Sequence, residues 1–196
     1  MPDDLRQVWL VRHGDTEWSQ SGQHTGRTDL PLLSSGRHQG SELRATLASR
    51  RFAAVLTSPR RRAAETAALA GFASAEHDAD LAEWDYGDYE GLTSAQVLSR
   101  NPGWTLWDDG APGGESPQDV GSRADRVVLK VRAIDGDVLL FSHGHFLRVL
   151  AARWIDLVPA AGRKLYIGTA GLGILGFERA DPVIRSWNLS AGGALN

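Results

Sequence analysis

Apolar residues in this chain come in two spacings, and the two alternate along its length. Val8-Trp9-Leu10-Val11 is a run of consecutive apolar residues after a polar opening segment, the pattern of a short strand buried on both faces. Phe52 to Thr57 and Val138 to Phe141 repeat the pattern. Between these runs the apolar positions fall at helical intervals. Ser34 or Ser35 caps a predicted helix to about Arg50, in which Leu43 and Leu47 lie one turn apart and Gly36 and Gly40 permit close packing. Ser58-Pro59 predicts a helix start, a cap followed by proline at the first helical position, with Gly71 as its stop. Thr93-Ser94-Ala95-Gln96 has the form of a capping box for a short helix that ends before Pro102. Ser116-Pro117-Gln118-Asp119 opens a helix whose apolar face is Val120, Ala124, Val127, Val128 and Val131, ended by Gly136. Another helix follows Ser142-His143-Gly144-His145 and runs to about Asp156. Glu76 to Leu81, Leu165 to Gly168, Leu172 to Phe177 and Val183 to Leu189 complete the predicted strands. Asp15 to Pro31 and Ala82 to Gly91 read as long polar loops and Asn101 to Glu115 as irregular, and loops of such length inside compact domains are usually functional.

This alternation predicts an α/β fold, a three-layer sandwich with a mostly parallel central sheet flanked by helices and an antiparallel C-terminal edge. The 196 residues, 42% of them hydrophobic, suit a single domain spanning 1–196 with a sizeable core. A formal net charge of −3 gives no global field favouring nucleic acid or an anionic membrane. The chain has no cysteine, which excludes disulfides, thiolate metal sites and a cysteine nucleophile. Its acidic start, Met1-Pro2-Asp3-Asp4, leads to a short apolar run, so neither a signal peptide nor a membrane span is expected, and the protein is read as soluble and cytoplasmic.

Ligands of open α/β sheets bind beyond the carboxyl ends of the strands. Arg12-His13, Arg60 to Arg62 and His143 to His145 each follow a predicted strand directly, so the three clusters are expected on one rim. A neutral imidazole is a good nucleophile towards phosphorus, and fixed guanidiniums neutralise the phosphoryl oxygens as charge develops. Glu83, beside apolar Ala82 and Trp84, is the candidate proton donor for the leaving oxygen. Each residue also has an ordinary reading. Arg60 and Arg61 suit a solvated helix face, since consecutive helical residues cannot all point to one site, and Trp104 and Trp107 suit packing. Glu83, Asp85, Asp88 and Glu90 suit a solvated acidic loop equally well, and His24, His38 and His77 read as surface or core histidines. The pair His143 and His145 raises a rival reading as metal ligands, opposed by the arginine-rich rim and by the absence of a flanking carboxylate. No glycine-rich nucleotide fingerprint follows the first strand.

Taken in order, Leu10-Val11-Arg12-His13-Gly14-Asp15-Thr16-Glu17-Trp18, Thr25-Gly26, Ser58 to Ala63, Glu83 with Tyr86-Gly87 and Glu90-Gly91, Gly114-Glu115-Ser116 and Ser142-His143-Gly144 resemble the histidine phosphatase superfamily in its phosphoglycerate mutase-like branch. The resemblance covers nearly the whole chain. It implies that His13 becomes phosphorylated, that Arg12, Arg62 and His143 surround the phosphoryl group, and that Glu83 donates the proton. It implies further that Ser19, Thr25, Gly26, Tyr86, Gly144 and His145 line the ligand pocket. The family's α/β sandwich agrees with the periodicity, and the family needs no metal or cofactor. Cofactor-dependent mutases usually carry Asn where this chain has Ser19, together with a longer basic insertion, and Leu92 to Glu115 offers only Arg100. The chain looks more like the phosphatases of the branch, its acid phosphatases and a sugar-bisphosphatase subgroup. The expected activity is hydrolysis of phosphomonoesters of small metabolites, sugar phosphates among them, through a phosphohistidine. A phosphoglycerate mutase is the alternative, ahead of a non-catalytic phosphate-binding protein and a metal-dependent hydrolase. The expected partner is a small phosphorylated metabolite, with no nucleic acid and no membrane, and dimers are common in the family.

Overall fold

Both spacings fold as their periods dictate. In the computed structural model, which describes residues 6–190, six strands form one sheet: β1 (Val8–Arg12), β2 (Ala54–Thr57), β3 (Glu76–His77), β4 (Val138–Ser142), β5 (Leu172–Glu178) and β6 (Asp181–Leu189). Their order across the sheet is β3-β2-β4-β1-β5-β6. The first four pair in parallel, β5 runs antiparallel to β1, and β6 runs antiparallel to β5. Around the sheet lie α1 (Glu17–Ser21), α2 (Ser34–Leu47), α3 (Arg61–Leu69), α4 (Ser94–Arg100), α5 (Leu106–Asp109), α6 (Pro117–Arg132) and α7 (Gly144–Trp154). The mostly parallel sheet with its antiparallel C-terminal edge is the predicted sandwich.

Alternate residues of the central strands feed two separate cores, which explains their unbroken apolar runs. Val8 and Leu10 of β1 and Val138 and Leu140 of β4 pack with the α6 residues Val120, Ala124 and Val127 and with Phe146 and Leu150 of α7. Trp9 and Val11, with Leu139 and Phe141, face the other way onto Leu43 and Leu47 of α2 and Ala67 of α3. A strand covered on both faces has no position left for a polar side chain until it emerges at its end. Register then sets what emerges together. Arg12 is opposite Ser142 and Thr57 opposite Phe141, and the parallel ladder continues one step through His13 N–H to the Ser142 carbonyl (3.0 Å) and Ser58 N–H to the Phe141 carbonyl (2.9 Å).

Several predicted boundaries shift. The α3 helix begins at Arg61 rather than at Pro59, because the Ser58 hydroxyl is drawn to His143 and the first helical N–H, that of Arg61, is instead capped by Asp29 Oδ1 at 2.8 Å. Helix α2 contains both Ser34 and Ser35, follows Leu33 without a side-chain cap and stops at Leu47. The predicted strand at Glu76 to Leu81 pairs only at Glu76 and His77, since the Asp78 carboxylate caps a 3-10 turn over Ala79–Leu81. Leu165 to Gly168 forms no strand: the Ile167 and Tyr166 carbonyls accept from the side chains of Arg12 and Trp187, and the Gly168 N–H goes to Asn188 Oδ1. The long loops are also interrupted, by α1 within Asp15 to Pro31 and by α5 within Asn101 to Glu115. Among the described residues no helix is long and apolar enough to cross a membrane.

Candidate active site

His13 leaves β1 at the sheet's carboxyl rim, and its neighbour decides its tautomer. Nδ1 lies 2.7 Å from the Gly14 carbonyl oxygen. A carbonyl only accepts, so Nδ1 carries the proton and Nε2 keeps the lone pair. The ring is 5% exposed. Burial, then Arg62 and Arg12, hold its pKa well below the ordinary histidine value, so it is neutral at physiological pH.

His143 packs edge-on to His13, with ring centroids 5.2 Å apart. Its Nε2 meets Ser58 Oγ at 2.7 Å, and the same Oγ accepts the Arg60 N–H at 3.2 Å. Donation by the Ser58 hydroxyl to Nε2 satisfies both groups, which places the ring proton of His143 on Nδ1. Burial, then Arg62, pushes this pKa well down as well.

Arg62, on the first turn of α3, is fully buried. It donates to the carbonyls of Thr28 (3.0 Å) and Thr25 (2.8 Å), so one guanidinium fixes a loop while reaching the rim. Burial lowers its pKa, partly offset by Glu83. Arg12 donates Nη1 to Ile167 O at 2.8 Å. Its guanidinium lies against Gly144, where a Cβ would sit 3.2 Å from Cζ and from Nε. Three buried nitrogens around His13, namely Arg12 Nε, Arg62 Nε and His143 Nδ1, have no hydrogen-bond partner in the protein. A buried donor without a partner costs about 1–3 kcal/mol, so this cluster favours a ligand rich in acceptor oxygens.

Glu83 sits at the amino end of α7. Its Oε1 accepts the N–H groups of Trp84 (2.9 Å) and Phe146 (2.8 Å), and Oε2 accepts that of His145 (3.1 Å). Oε2 therefore retains more room for a proton than Oε1. The segment carrying Glu83 is clamped from outside by Arg123, which is bidentate to Glu115 (2.9 and 2.8 Å) and donates to the carbonyls of Asp80, Ala82 and Glu83.

Arg12, His13, Glu83, Tyr86, Gly144 and His145 line one cavity of about 170 Å³ with Ser19 and Thr25, whereas Arg62 and His143 are fully buried and stay out of its lining. The remaining pocket residues act in different ways. Tyr86 OH is 2.7 Å from His145 Nδ1. Burial raises the tyrosine's pKa and lowers that of His145, so the hydroxyl donates to a neutral ring. Ser19 spends its hydroxyl on the Thr16 backbone as part of the α1 capping box. Gly26 stays outside the cavity lining: a Cβ there would meet Trp84 O at 2.5 Å, so it lets the loop pass the Glu83 segment. The two rings of the rival metal reading are each engaged through one nitrogen, His143 by Ser58 and His145 by Tyr86. Among the described residues no group of three or more metal-ligating side chains converges.

Comparison with known proteins decides the family. Residues 8–190 match the family model described as the histidine phosphatase superfamily (branch 1). The chain belongs to the histidine phosphatase superfamily. This histidine phosphatase is 44% identical over 173 residues to an acid phosphatase of Mycobacterium tuberculosis, covering 86% of this chain and 85% of that protein. It is 34% identical over 192 residues to the sedoheptulose 1,7-bisphosphatase of Saccharomyces cerevisiae, covering 80% and 70%. Its fold is similar to that of the product of open reading frame Rv3214 from Mycobacterium tuberculosis, with a TM-score of 0.91 at 41% identity over 95% of this chain and 98% of that one. By family the chain is a hydrolase of phosphomonoesters.

The histidine phosphatase site holds residues that sequence reasoning missed. His24, read as an ordinary histidine, is 6% exposed, stacks on Tyr86 with centroids 4.6 Å apart and lines the cavity. Arg148 lines it from α7. Its spacing of four residues from Gly144 on a predicted helix was the available signal. Nothing in the sequence pairs Arg123 with the Glu83 segment. Trp104 is buried in the core and Arg61 is exposed, as their ordinary readings had it.

Proposed function

We propose that the protein is a cytoplasmic phosphatase of small phosphorylated metabolites, sugar phosphates among them, working through a phosphohistidine on His13. The observation that carries this reading is the Gly14 carbonyl held against His13 Nδ1, which leaves a neutral imidazole with its Nε2 lone pair free beside two guanidiniums.

Nε2 attacks phosphorus as the ester P–O bond breaks, and the leaving oxygen takes the proton of Glu83 Oε2. Arg12 Nε, Arg62 Nε and His143 Nδ1–H supply hydrogen bonds to the three phosphoryl oxygens as charge shifts onto them. In the second half, Glu83 accepts a proton from water while that water's oxygen bonds to phosphorus. The P–N bond breaks, and inorganic phosphate and neutral His13 are restored. Of residues 92–115, only Ser94 lines the cavity. The basic wall that would retain a phosphoglycerate for reorientation is thus missing from this segment, which favours hydrolysis over a mutase cycle.

Acid-labile, alkali-stable phosphate should appear on the wild-type enzyme quenched during turnover and vanish in His13→Ala. Near-normal phosphate release by His13→Ala would overturn the covalent route.

A further inference from the structure

A second cavity opens at the end of the sheet opposite the catalytic rim. Val8, which begins β1, lines it, whereas Arg12 ends that strand at the rim, about 13 Å away at about 3.3 Å per residue. The space is about 340 Å³, within the roughly 300–1,000 Å³ typical of small-molecule sites. Its floor is apolar. Val8, Val131 of α6 and Trp154 of α7 are buried there and Phe177 of β5 is half-buried. The Trp154 indole donates Nε1 to Gly176 O at 3.1 Å, so only its ring carbons are left for a ligand. None of the large apolar side chains exposed on the described surface, Leu98, Leu129, Leu157, Val158 and Tyr166, belongs to this lining. The apolar surface is thus concave and confined, which suits a small molecule and gives a protein face or a lipid surface little to rest on.

The remaining lining is cationic. Arg6, Arg132 and Arg179 contribute three guanidiniums and no carboxylate joins them, on a chain whose formal net charge is −3. Arg132 Nη2 donates to Trp154 O at 3.1 Å, and its Cζ lies 4.6 Å from the Trp154 ring centroid and 5.6 Å from that of Phe177. These partners hold the guanidinium in place without neutralising it. Arg6 pairs with exposed Asp135 at 3.6 Å, but among the described residues neither Arg132 nor Arg179 has a carboxylate within ion-pairing distance. Arg179 is also placed at a conformational cost. It opens the two-residue turn between β5 and β6 with a φ of 57°, where hairpins favour Gly, Asn or Asp. Its guanidinium makes no hydrogen bond or ion pair among the described residues, so the fold gains nothing internal from having arginine there.

We propose that this cavity binds a small amphiphilic anion, its apolar body on Val8, Val131 and Phe177 and its single carboxylate or phosphate held by Arg132 and Arg179. The two head groups share one chemistry, oxygens accepting from guanidiniums beside a desolvated apolar surface. The site is separate from the catalytic cavity and does not depend on the phosphatase reading.

Isothermal titration tests it with 2-naphthoate, octanoate and octyl phosphate, each below its aggregation concentration, against 2-naphthylmethanol and octanol, which lack the charge, and against acetate and inorganic phosphate, which lack the body. At least one amphiphilic anion should bind once per chain and roughly 10- to 100-fold more tightly than its uncharged and its bodiless counterparts, the scale of a charge-assisted hydrogen bond. Which one binds identifies the body and the head group. Arg132→Met should weaken that binding about 10-fold. Arg179→Gly should weaken it equally while leaving the melting temperature unchanged or raised, because glycine relieves the turn. Affinity undiminished in either variant overturns the proposal, as does an amphiphilic anion that binds no better than its alcohol. Displacement of the probe by inorganic phosphate at constant ionic strength would put the probe in the catalytic cavity and overturn it too. Binding gained only on removal of residues 1–5 would likewise overturn it, by giving the cavity to the chain itself.

Discussion

Replacing Glu83 by Gln removes a proton and a hydrogen-bond acceptor at once, and the structure separates the two effects. Oε1 accepts two backbone N–H groups and Oε2 one. The amide must therefore orient its oxygen towards Trp84 and Phe146, which leaves its NH₂ facing the His145 N–H, donor against donor. Leaving the buried His145 N–H without an acceptor costs about 1–3 kcal/mol of stability, readable as a lower urea midpoint at unchanged slope. Catalysis suffers separately. With an alkyl phosphate, whose leaving oxygen needs its proton, the single-turnover phosphorylation rate should drop roughly 10²- to 10⁴-fold, the scale of general acid catalysis. With nitrophenyl phosphate the leaving group departs unprotonated, so the same step should slow far less. Burst kinetics are the appropriate assay, because in the proposed mechanism steady-state rates also contain attack by water on the phosphohistidine, with Glu83 as base. Equal losses in the burst for both esters would remove Glu83 from the acid role, since damage to the fold or to phosphate binding would strike both alike.

Four further outcomes follow from the same contacts. Gly26→Ala pushes a Cβ to 2.5 Å from the Trp84 carbonyl, so it should displace the loop that Arg62 anchors, at a cost of about 1–3 kcal/mol with loss of kcat; an unchanged melting temperature would contradict that packing. His13, His143 and His145 are buried neutral with pKa values well below 6.5, so the unfolded chain binds more protons below pH 6.5 than the folded one. Stability should be complete above that pH and decline as pH falls from 6.5 towards the folded values, by about 1.4 kcal/mol per pH unit for each histidine; a urea midpoint flat between pH 7.5 and 5.5 would refute it. Ser58→Ala should let the His143 ring proton move from Nδ1 to Nε2, visible in nitrogen chemical shifts, with a lower kcat and with partial rescue by Thr; an unchanged tautomer would show that Ser58 does not set it. Chelators should leave turnover intact, and rescue of chelated enzyme by a divalent ion would return His143 and His145 to the list of ligands.

How much of this was legible depended on the range of the interaction involved. The β1 and β4 runs were readable because burial on both faces leaves a local signature, and α6 because its apolar face and its capping box at Ser116 and Asp119 sit within one short window. The start of α3 was misread for a physical reason. Ser58 has the chemistry of a cap, yet its hydroxyl is committed to His143, 85 residues away in sequence. Leu165 to Gly168 looked like a strand because pattern shows side chains, whereas its carbonyls are taken by side chains from β1 and β6. The meeting of Arg12, His13 and His143 on one rim was legible through the rule that parallel strands deliver ligands at their carboxyl ends. His24 was not, because its burial comes from an antiparallel bridge between Gln23 and Thr93 that joins two loops. Such loop pairings leave no periodic trace.

The deepest division of labour in the site lies between two residues of identical chemistry. His13 and His143 are neighbours, both buried, both under the field of Arg62, and both held neutral. Burial and charge therefore cannot tell them apart. What distinguishes them is a single hydrogen bond each, of opposite sense. The Gly14 carbonyl, one residue on, can only accept, so it fixes the proton on His13 Nδ1 and exposes a lone pair at Nε2. The Ser58 hydroxyl, itself accepting the Arg60 N–H, donates to His143 Nε2 and turns the Nδ1 of that ring into a donor. In the mechanism proposed above, that makes one imidazole the nucleophile and the other a hydrogen-bond donor to the group that the first receives. Exchanging the two locks would leave every charge in place and abolish the chemistry, because His13 would present a proton to phosphorus and His143 a lone pair to an oxygen already rich in electrons.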